Sequence, residues 1–390
     1  MQKPFDTTAV FNQVNQPIAL ARGLPNACYT TDTAFVQDRD SVISENWACI
    51  GFIDQLPEPN YVTPINFMGL PLLLTRDKED TYRVFHNVCS HRGMELADKP
   101  CKNSGSIRCP YHSWTYALNG ELRGTPNIGG YGIHAHEDFD PTDHGLKQVR
   151  SAIWLGAVFV NLSGEAIPFE EYIAPITDSW SEFLPVADLE QYTVATDGSK
   201  MSLTVQSNWK LAVENYLESY HLPTVHPELN RVSPLAEHYC VDSFENGAGQ
   251  GSYNYTRLEI NQQSLPSQAN WKPACTRTAE YPVLFPNTFF GVHTDHLFIM
   301  YLQPLSNTAT TEHVRILYVG DEAQSATYAL HRETTLTNWE NVFREDIFAV
   351  ERMQKGRLSP GFTGGVFSPE MDGPTLHFHR WVAQAMHKLS

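Results

Sequence analysis

CSHRGMELADKPCKNSGSIRCPYHSW, residues 89–114, carries two cysteine–histidine pairs: Cys89-x-His91 and, after seventeen intervening residues, Cys109-x-x-His112. Thiolates and imidazoles on turn-like segments suit zinc, an iron–sulfur cluster, or plain loops without a metal. Zinc fingers usually pair Cys with Cys and His with His in separate halves, whereas here each half supplies one of each. A two-iron, two-sulfide cluster with one iron on thiolates and the other on imidazoles needs that mixture. Cys101 lies between the pairs and fits neither spacing, so it is read as structural.

Outward from this stretch the sequence is β-type from Trp47 to about Leu162. Short runs such as LPLLL (70–74), YRVFHNV (82–88) and WTYAL (114–118) alternate with the turn signals EPN, KNSG and LNGE. AIWLGAVFV (152–160), the longest apolar run, is far short of the roughly 20 residues a bilayer span needs, and suits a buried strand. PFEEYIAPITDSWSEFLP (168–185) then reads as a helix between two prolines and opens a second, mixed part. The expected division is a lead-in over 1–45 that packs with the second part, an all-β domain over 46–162, and a domain over 163–390. GAGQG (247–251) is read as a loop, since no strand precedes it and no helical pattern follows.

The second part contains NWKLAVENYLESYHLPTVH (208–226). Trp209, Val213, Tyr216, Leu217 and Tyr220 fall on one helical stripe, Ser207 or Asn208 suits the N-cap, and Pro223 is expected to end the helix just past His221. His221 and His226, set on either side of that proline, can turn toward a common point. A mononuclear iron site of two histidines and one carboxylate needs three such ligands on one face, the other face staying open. Alone, the pair also fits histidines capping a helix end.

Together these motifs resemble the catalytic α-subunit of the Rieske non-haem iron oxygenases. The resemblance covers the Cys–His pairs, the motif Asn208-Trp209-Lys210, Glu214-Asn215, Tyr220-His221, His226, and SPGFTGGVFSPE (359–370). It implies an α+β fold: an all-β Rieske domain and a helix-grip catalytic domain with a curved antiparallel sheet and long helices. It implies a [2Fe-2S] cluster on Cys89 and Cys109 (one iron) and His91 and His112 (the other), and mononuclear Fe(II) on His221, His226 and an aspartate of NVFREDIFAVERMQKG (341–356). Asp346 is that aspartate, with Glu345 and Glu351 as rivals. Respiratory Rieske proteins carry a further cysteine in each motif, where this chain has Met94 and Tyr111, so the oxygenase type is the one resembled. Family members place an acidic residue three positions before the first iron histidine. It is usually aspartate and bridges to a Rieske histidine, here His112, of a neighbouring subunit, which implies a homotrimeric ring. Here it is Glu218, as in the branch that oxidises carnitine, glycine betaine and other quaternary ammonium compounds. The close spacing of Asn215 and Glu218 resembles monooxygenases of the family.

The net charge of −17 argues against nucleic acid or an anionic membrane as partner, and the N-terminus lacks a secretory pattern, so a cytoplasmic protein is expected. Seven cysteines in 390 residues do not form a disulfide framework. No nicotinamide or flavin fingerprint is present, which points to a separate NAD(P)H-dependent reductase of the flavin or ferredoxin type. The expected reaction inserts oxygen from O2 into a quaternary ammonium or N-methyl amine with C–N cleavage. The competitors are ring hydroxylation or O-demethylation of an aromatic acid, which would call on Arg231, Arg257 or Arg315, and a Rieske electron carrier without oxygenase activity. For a cation, the aromatic residues Trp209, Tyr216, Tyr220, Phe289, Phe290, Phe298 and Tyr301 and the carboxylate of Asp295, between His293 and His296, are the candidates.

Overall fold

The computed structural model describes residues 6–388. The chain divides into two units, Ile50–Glu165, and Met1–Cys49 with Ala166–Ser390. Among the described residues no helix is long and apolar enough to cross a membrane, and no disulfide forms, the seven cysteines being free.

The Ile50–Glu165 unit is built from β1 (Ala48–Phe52), β2 (Tyr61–Phe67), β3 (Leu70–Arg76), β4 (Tyr82–His86), β5 (Cys101–Lys102), β6 (Ser106–Arg108), β7 (Thr115–Ala117), β8 (Leu122–Gly124), β9 (Gln148–Trp154) and β10 (Ala157–Asn161). One sheet runs β1-β10-β9-β4-β3-β2-β5 and a smaller one β6-β7-β8. LPLLL is a central strand: Leu72, Leu73 and Leu74 are all buried, which a strand covered on both faces requires. AIWLGAVFV, read as one buried strand, is instead a hairpin. Leu155 and Gly156 take positive φ of 51° and 76°, and Ala157 pairs with Trp154. A two-residue turn of that hand matches the strand twist, and the apolar run hid it. Cys89 and Cys109 belong to a cluster between the sheets with Leu73, Phe85, Ile107, Trp114 and Tyr116. Full burial of side chains such as Leu73 or Phe85 stabilises it by roughly 1.5–3 kcal/mol each.

In the other unit, helices α1 (Thr7–Val14), α2 (Ala27–Thr30) and α3 (Asp32–Gln37) lead in, and α4 (Phe169–Trp180) starts at Pro168 but stops well before Pro185. The sheet follows: β11 (Tyr192–Val194), β12 (Lys200–Val205), β13 (His238–Phe244), β14 (Gly247–Ser252), β15 (Ala279–Leu284), β16 (Thr288–Val292), β17 (His296–Ser306) and β18 (Ala309–Val319). It is a curved antiparallel sheet in the order β11-β18-β17-β16-β15-β14-β13, with β12 also on β18. GAGQG is therefore a strand and not a loop. Its glycines are demanded by neighbours: a Cβ on Gly249 would lie 2.6 Å from the Pro282 backbone, and one on Gly251 2.4 Å from the Tyr239 ring.

Packed with the sheet are α5 (Trp209–Tyr216), the long α8 (Ala329–Gly356) and α9 (Gly373–Lys388), on which α1 also packs, while the short α6 (Leu222–Val225) packs with α7 (Pro227–Val232) and α8. Asn208 caps α5, its side chain accepting from the Lys210 amide. The helix ends at Tyr216, five residues short of the expected His221. Pro223 does not terminate it but sits in the first turn of α6, where its missing N–H costs nothing. Tyr220 consequently leaves the apolar stripe and is 61% exposed. On α8, Trp339, Phe343 and Val350 face inward, and Asp346 falls on the same stripe at the spacing of four, three and four residues.

Candidate metal centres

His221 and His226 owe their orientation to two glutamates. Just past the end of α5, the Glu218 carboxylate accepts from the backbone amides of Tyr220 and His221 and from His221 Nδ1 at 2.5 Å. His226 Nδ1 meets Glu345 Oε2 at 2.7 Å. With each Nδ1–H donated to a carboxylate, each Nε2 keeps its lone pair, the tautomer a metal ligand needs. Those Nε2 atoms face one oxygen: Asp346 Oδ1 lies 2.9 Å from that of His226 and 3.6 Å from that of His221. One donor atom from each of the three side chains falls within 4.8 Å of the others. Asn215 Nδ2 donates to Asp346 Oδ1 at 2.7 Å and holds the carboxylate in place.

The electrostatics favour a cation here. Burial of His226 opposes its protonation, yet Asp346 and Glu345 together outweigh burial and raise its pKa. A field that stabilises a proton at that ring stabilises a metal ion as well. The rivals for the carboxylate place separate: Glu345 serves His226, and Glu351 Oε1 accepts from the Gln206 amide at 3.0 Å. The donor set of two imidazoles and a carboxylate fits iron of the non-haem oxygenase kind.

A cavity of about 40 Å³ adjoins the three donors and is lined by Tyr216, Tyr281, Trp339 and Phe343 with Ser233, His238 and Gln250. Of the aromatic residues expected from sequence, Tyr216 is the one that lines it. Trp209 is in the core, where its Nε1 donates to Asp38, and Tyr301 stacks on His313. Asp295 is spent on His296 at 2.8 Å and Arg257 at 3.1 Å. Arg231 pairs with Glu228, and neither it nor Arg257 or Arg315 lines the cavity. A larger cavity of about 630 Å³, lined by Glu214, Glu218, Arg357 and His379, holds none of the three donors, so the chemistry belongs to the small one.

In the β unit, the two Cys–His segments fold alike. Gly93 N donates to Cys89 O at 3.0 Å and Cys89 N to Met94 O at 2.8 Å, and the second loop repeats this with Ser113 N to Cys109 O and Cys109 N to Trp114 O at the same distances. Gly93 and Ser113 both take positive φ. The His91 and His112 rings lie 4.7 Å apart, and His91 stacks on Trp114. His112 Nδ1 is buried with no hydrogen-bond partner among the described residues, as a ligand atom lacking its metal would be. Burial and the neighbouring Cys89 push the Cys109 thiol up although the Tyr111 and His112 amides pull it down. Two thiols so placed fit a cationic cluster.

A paired cysteine–histidine loop unit and a two-histidine, one-carboxylate unit are the two halves of an iron oxygenase subunit. Residues 46–136 match the Rieske [2Fe-2S] domain and residues 192–388 the ring-hydroxylating alpha subunit (catalytic domain), and the chain belongs to that family of Rieske oxygenases. It is thus an oxidoreductase with a [2Fe-2S] Rieske cluster and a mononuclear iron, of a family that oligomerises and takes electrons from a separate reductase. It is similar to the carnitine monooxygenase oxygenase subunit of Acinetobacter pittii (strain PHEA-2), 27% identical over 345 residues, covering 87% of this chain and 86% of that protein. The chloroplastic choline monooxygenase of Amaranthus tricolor is 26% identical over 373 residues, covering 93% of this chain and 77% of that protein. The quaternary ammonium Rieske monooxygenase CntA shares the fold with a TM-score of 0.76 at 22% identity, over 96% of this chain and 98% of that one.

Sequence reasoning missed Glu345 as the partner of His226, and Ser233, His238, Gln250, Tyr281, Trp339 and Phe343 as cavity lining. Trp339 and Phe343 share the helical stripe of Asp346 and were within reach of the pattern. Gln250 was not, because its glycine-rich strand carries no β-forming residues.

Proposed function

We propose that this chain is the oxygenase component of a monooxygenase that hydroxylates a small quaternary ammonium or N-methyl amine next to nitrogen and so cleaves a C–N bond. The observation that carries this is the lining of the cavity beside the triad: four aromatic side chains and no lysine or arginine. Aromatic faces attract a desolvated cation by about 0.5–2 kcal/mol each, whereas an aromatic acid would need a basic partner that the lining does not offer. The names of the relatives point the same way. An electron carrier would have no use for the second donor set.

In this reading Cys89, Cys109, His91 and His112 hold the cluster, and His221, His226 and Asp346 hold the iron. The two groups supply single electrons and activate dioxygen. Glu218 and Glu345 fix the imidazole tautomers, Asn215 fixes the Asp346 rotamer, and the aromatic walls hold the cation and exclude water. Once a methyl or methylene carbon on nitrogen bears a hydroxyl, its O–H proton leaves, a C=O bond forms and the C–N electron pair passes to nitrogen, giving an aldehyde and a free amine. Glu218 also serves as the bridge to His112 of the partner subunit in a homotrimer. The electrons come from a cytoplasmic NAD(P)H-dependent reductase of the flavin or ferredoxin type. The test is turnover with such a reductase: aldehyde and amine are expected from trimethylammonium substrates and not from methoxylated or simple aromatic acids. Turnover of the acids alone would overturn the assignment.

A further inference from the structure

The polar side of the small cavity is a fixed constellation. His238 Nδ1 meets Gln250 Oε1 at 2.7 Å, and His238 Nε2 lies 3.0 Å from Ser233 Oγ and 3.2 Å from Ser233 O. Both imidazole nitrogens are thereby spent on the protein. Gln250 is only 9% exposed and lines the cavity, yet its amide nitrogen takes no partner among the described residues. Turning the amide over would exchange the atom that meets His238 and still leave one polar atom free. That amide atom keeps accessible surface and is open to a ligand group in the cavity. A hydroxyl answers either orientation, since it donates and accepts.

A carboxylate does not fit as well. No lysine or arginine lines the cavity. Both His238 nitrogens are already taken up by Gln250 and Ser233, and burial lowers the pKa of the ring although those contacts work the other way. An anion buried against neutral dipoles alone pays most of its desolvation penalty.

We infer that the site selects methylated ammonium ions whose far end is an uncharged hydroxyl or carbonyl, read by Gln250 in the frame set by His238 and Ser233, over zwitterions ending in a carboxylate. This rests on the substrate class proposed above. Choline and propyltrimethylammonium, which differ by a hydroxyl in place of a methyl, test it together with glycine betaine and L-carnitine. Equilibrium dialysis with the anaerobic, iron-loaded oxygenase should show choline bound about tenfold tighter than propyltrimethylammonium, and both zwitterions bound more weakly than choline. Gln250→Leu should erase the choline advantage while leaving propyltrimethylammonium within about threefold of its original affinity. Zwitterions bound as tightly as choline overturn the inference and leave the amine reading standing, as does a choline advantage that survives Gln250→Leu. Should none of the four amines bind while an aromatic acid does, both readings fall. The comparison among ligands in the unaltered protein stands even where the variant does not fold.

Discussion

Each histidine of the proposed iron site is partnered by a glutamate on its far nitrogen, so the proposed ligands and their orienting carboxylates alternate: Glu218–His221, Asp346, His226–Glu345. Glu345 and Asp346 are adjacent on α8 and reach opposite nitrogens of one ring, which gives them different roles and different expected losses. Asp346→Ala removes a ligand and should lower the iron content from three per chain (two in the cluster, one at the triad) to two. Its Rieske-type visible spectrum should stay intact while turnover disappears. Glu345→Ala removes only the hydrogen bond to His226 and should weaken iron binding by about 10–100-fold, with Glu345→Gln restoring much of it. Metal analysis after dialysis against a chelator separates the two, and three irons retained in Asp346→Ala would place the ligand elsewhere.

At the scale of elements, the site depends on β14 lying close against β13 and β15. Gly249 pairs with Val241 on one side and Pro282 on the other, and the neighbouring Gln250 pairs with Tyr281. Gln250 and Tyr281 both line the cavity, so a shift of this strand moves two of its walls at once. Gly249→Ala brings a Cβ to 2.6 Å from the Pro282 Cα and 2.8 Å from the Tyr281 carbonyl oxygen, atoms of backbone that cannot swing aside. The expected cost is about 1–3 kcal/mol, read as a lower urea midpoint, together with a raised KM. An unchanged midpoint would mean that the strands separate without penalty. The same glycines explain why the strand was illegible: its side chains are absent because Phe244, Tyr239 and the β15 backbone fill their places.

For the molecule as a whole, pH links to stability through a buried acid on β15. Glu280 on β15 is buried and accepts from the Tyr239 hydroxyl at 3.0 Å. Burial, with Glu182 nearby, raises its pKa from 4.5 to about 7 even though hydrogen bonds from Tyr239 and Ser179 work the other way. A carboxyl raised on folding contributes its stability in full below pH 4.5, and that contribution is lost as pH rises through about 7. Glu280→Gln keeps an acceptor for Tyr239 and cannot ionise. It should therefore be more stable than the parent at pH 8.5, by at most roughly 3 kcal/mol, and match it near pH 4.5. Urea unfolding at the two pH values gives the answer, and an equal difference at both would exclude Glu280 as the source.

The sequence by itself determined the two-centre class, because the groups that reveal it are local. Cys89 and His91 sit on one turn, Cys109 and His112 on another, and Glu218, His221 and His226 within nine residues. Chain geometry alone constrains such neighbours, and the approximate place of Asp346 followed from the resemblance. What only the tertiary structure decided depends on residues far apart in the chain. That Asp346 faces both imidazole Nε2 atoms while Glu345 meets the Nδ1 of His226 required α8 to be seen against α6, and the cavity draws Ser233, Gln250, Tyr281 and Trp339 from four separate elements or their ends. Strand register and helix rotation set which of these side chains meet, and both are fixed by packing across the whole unit.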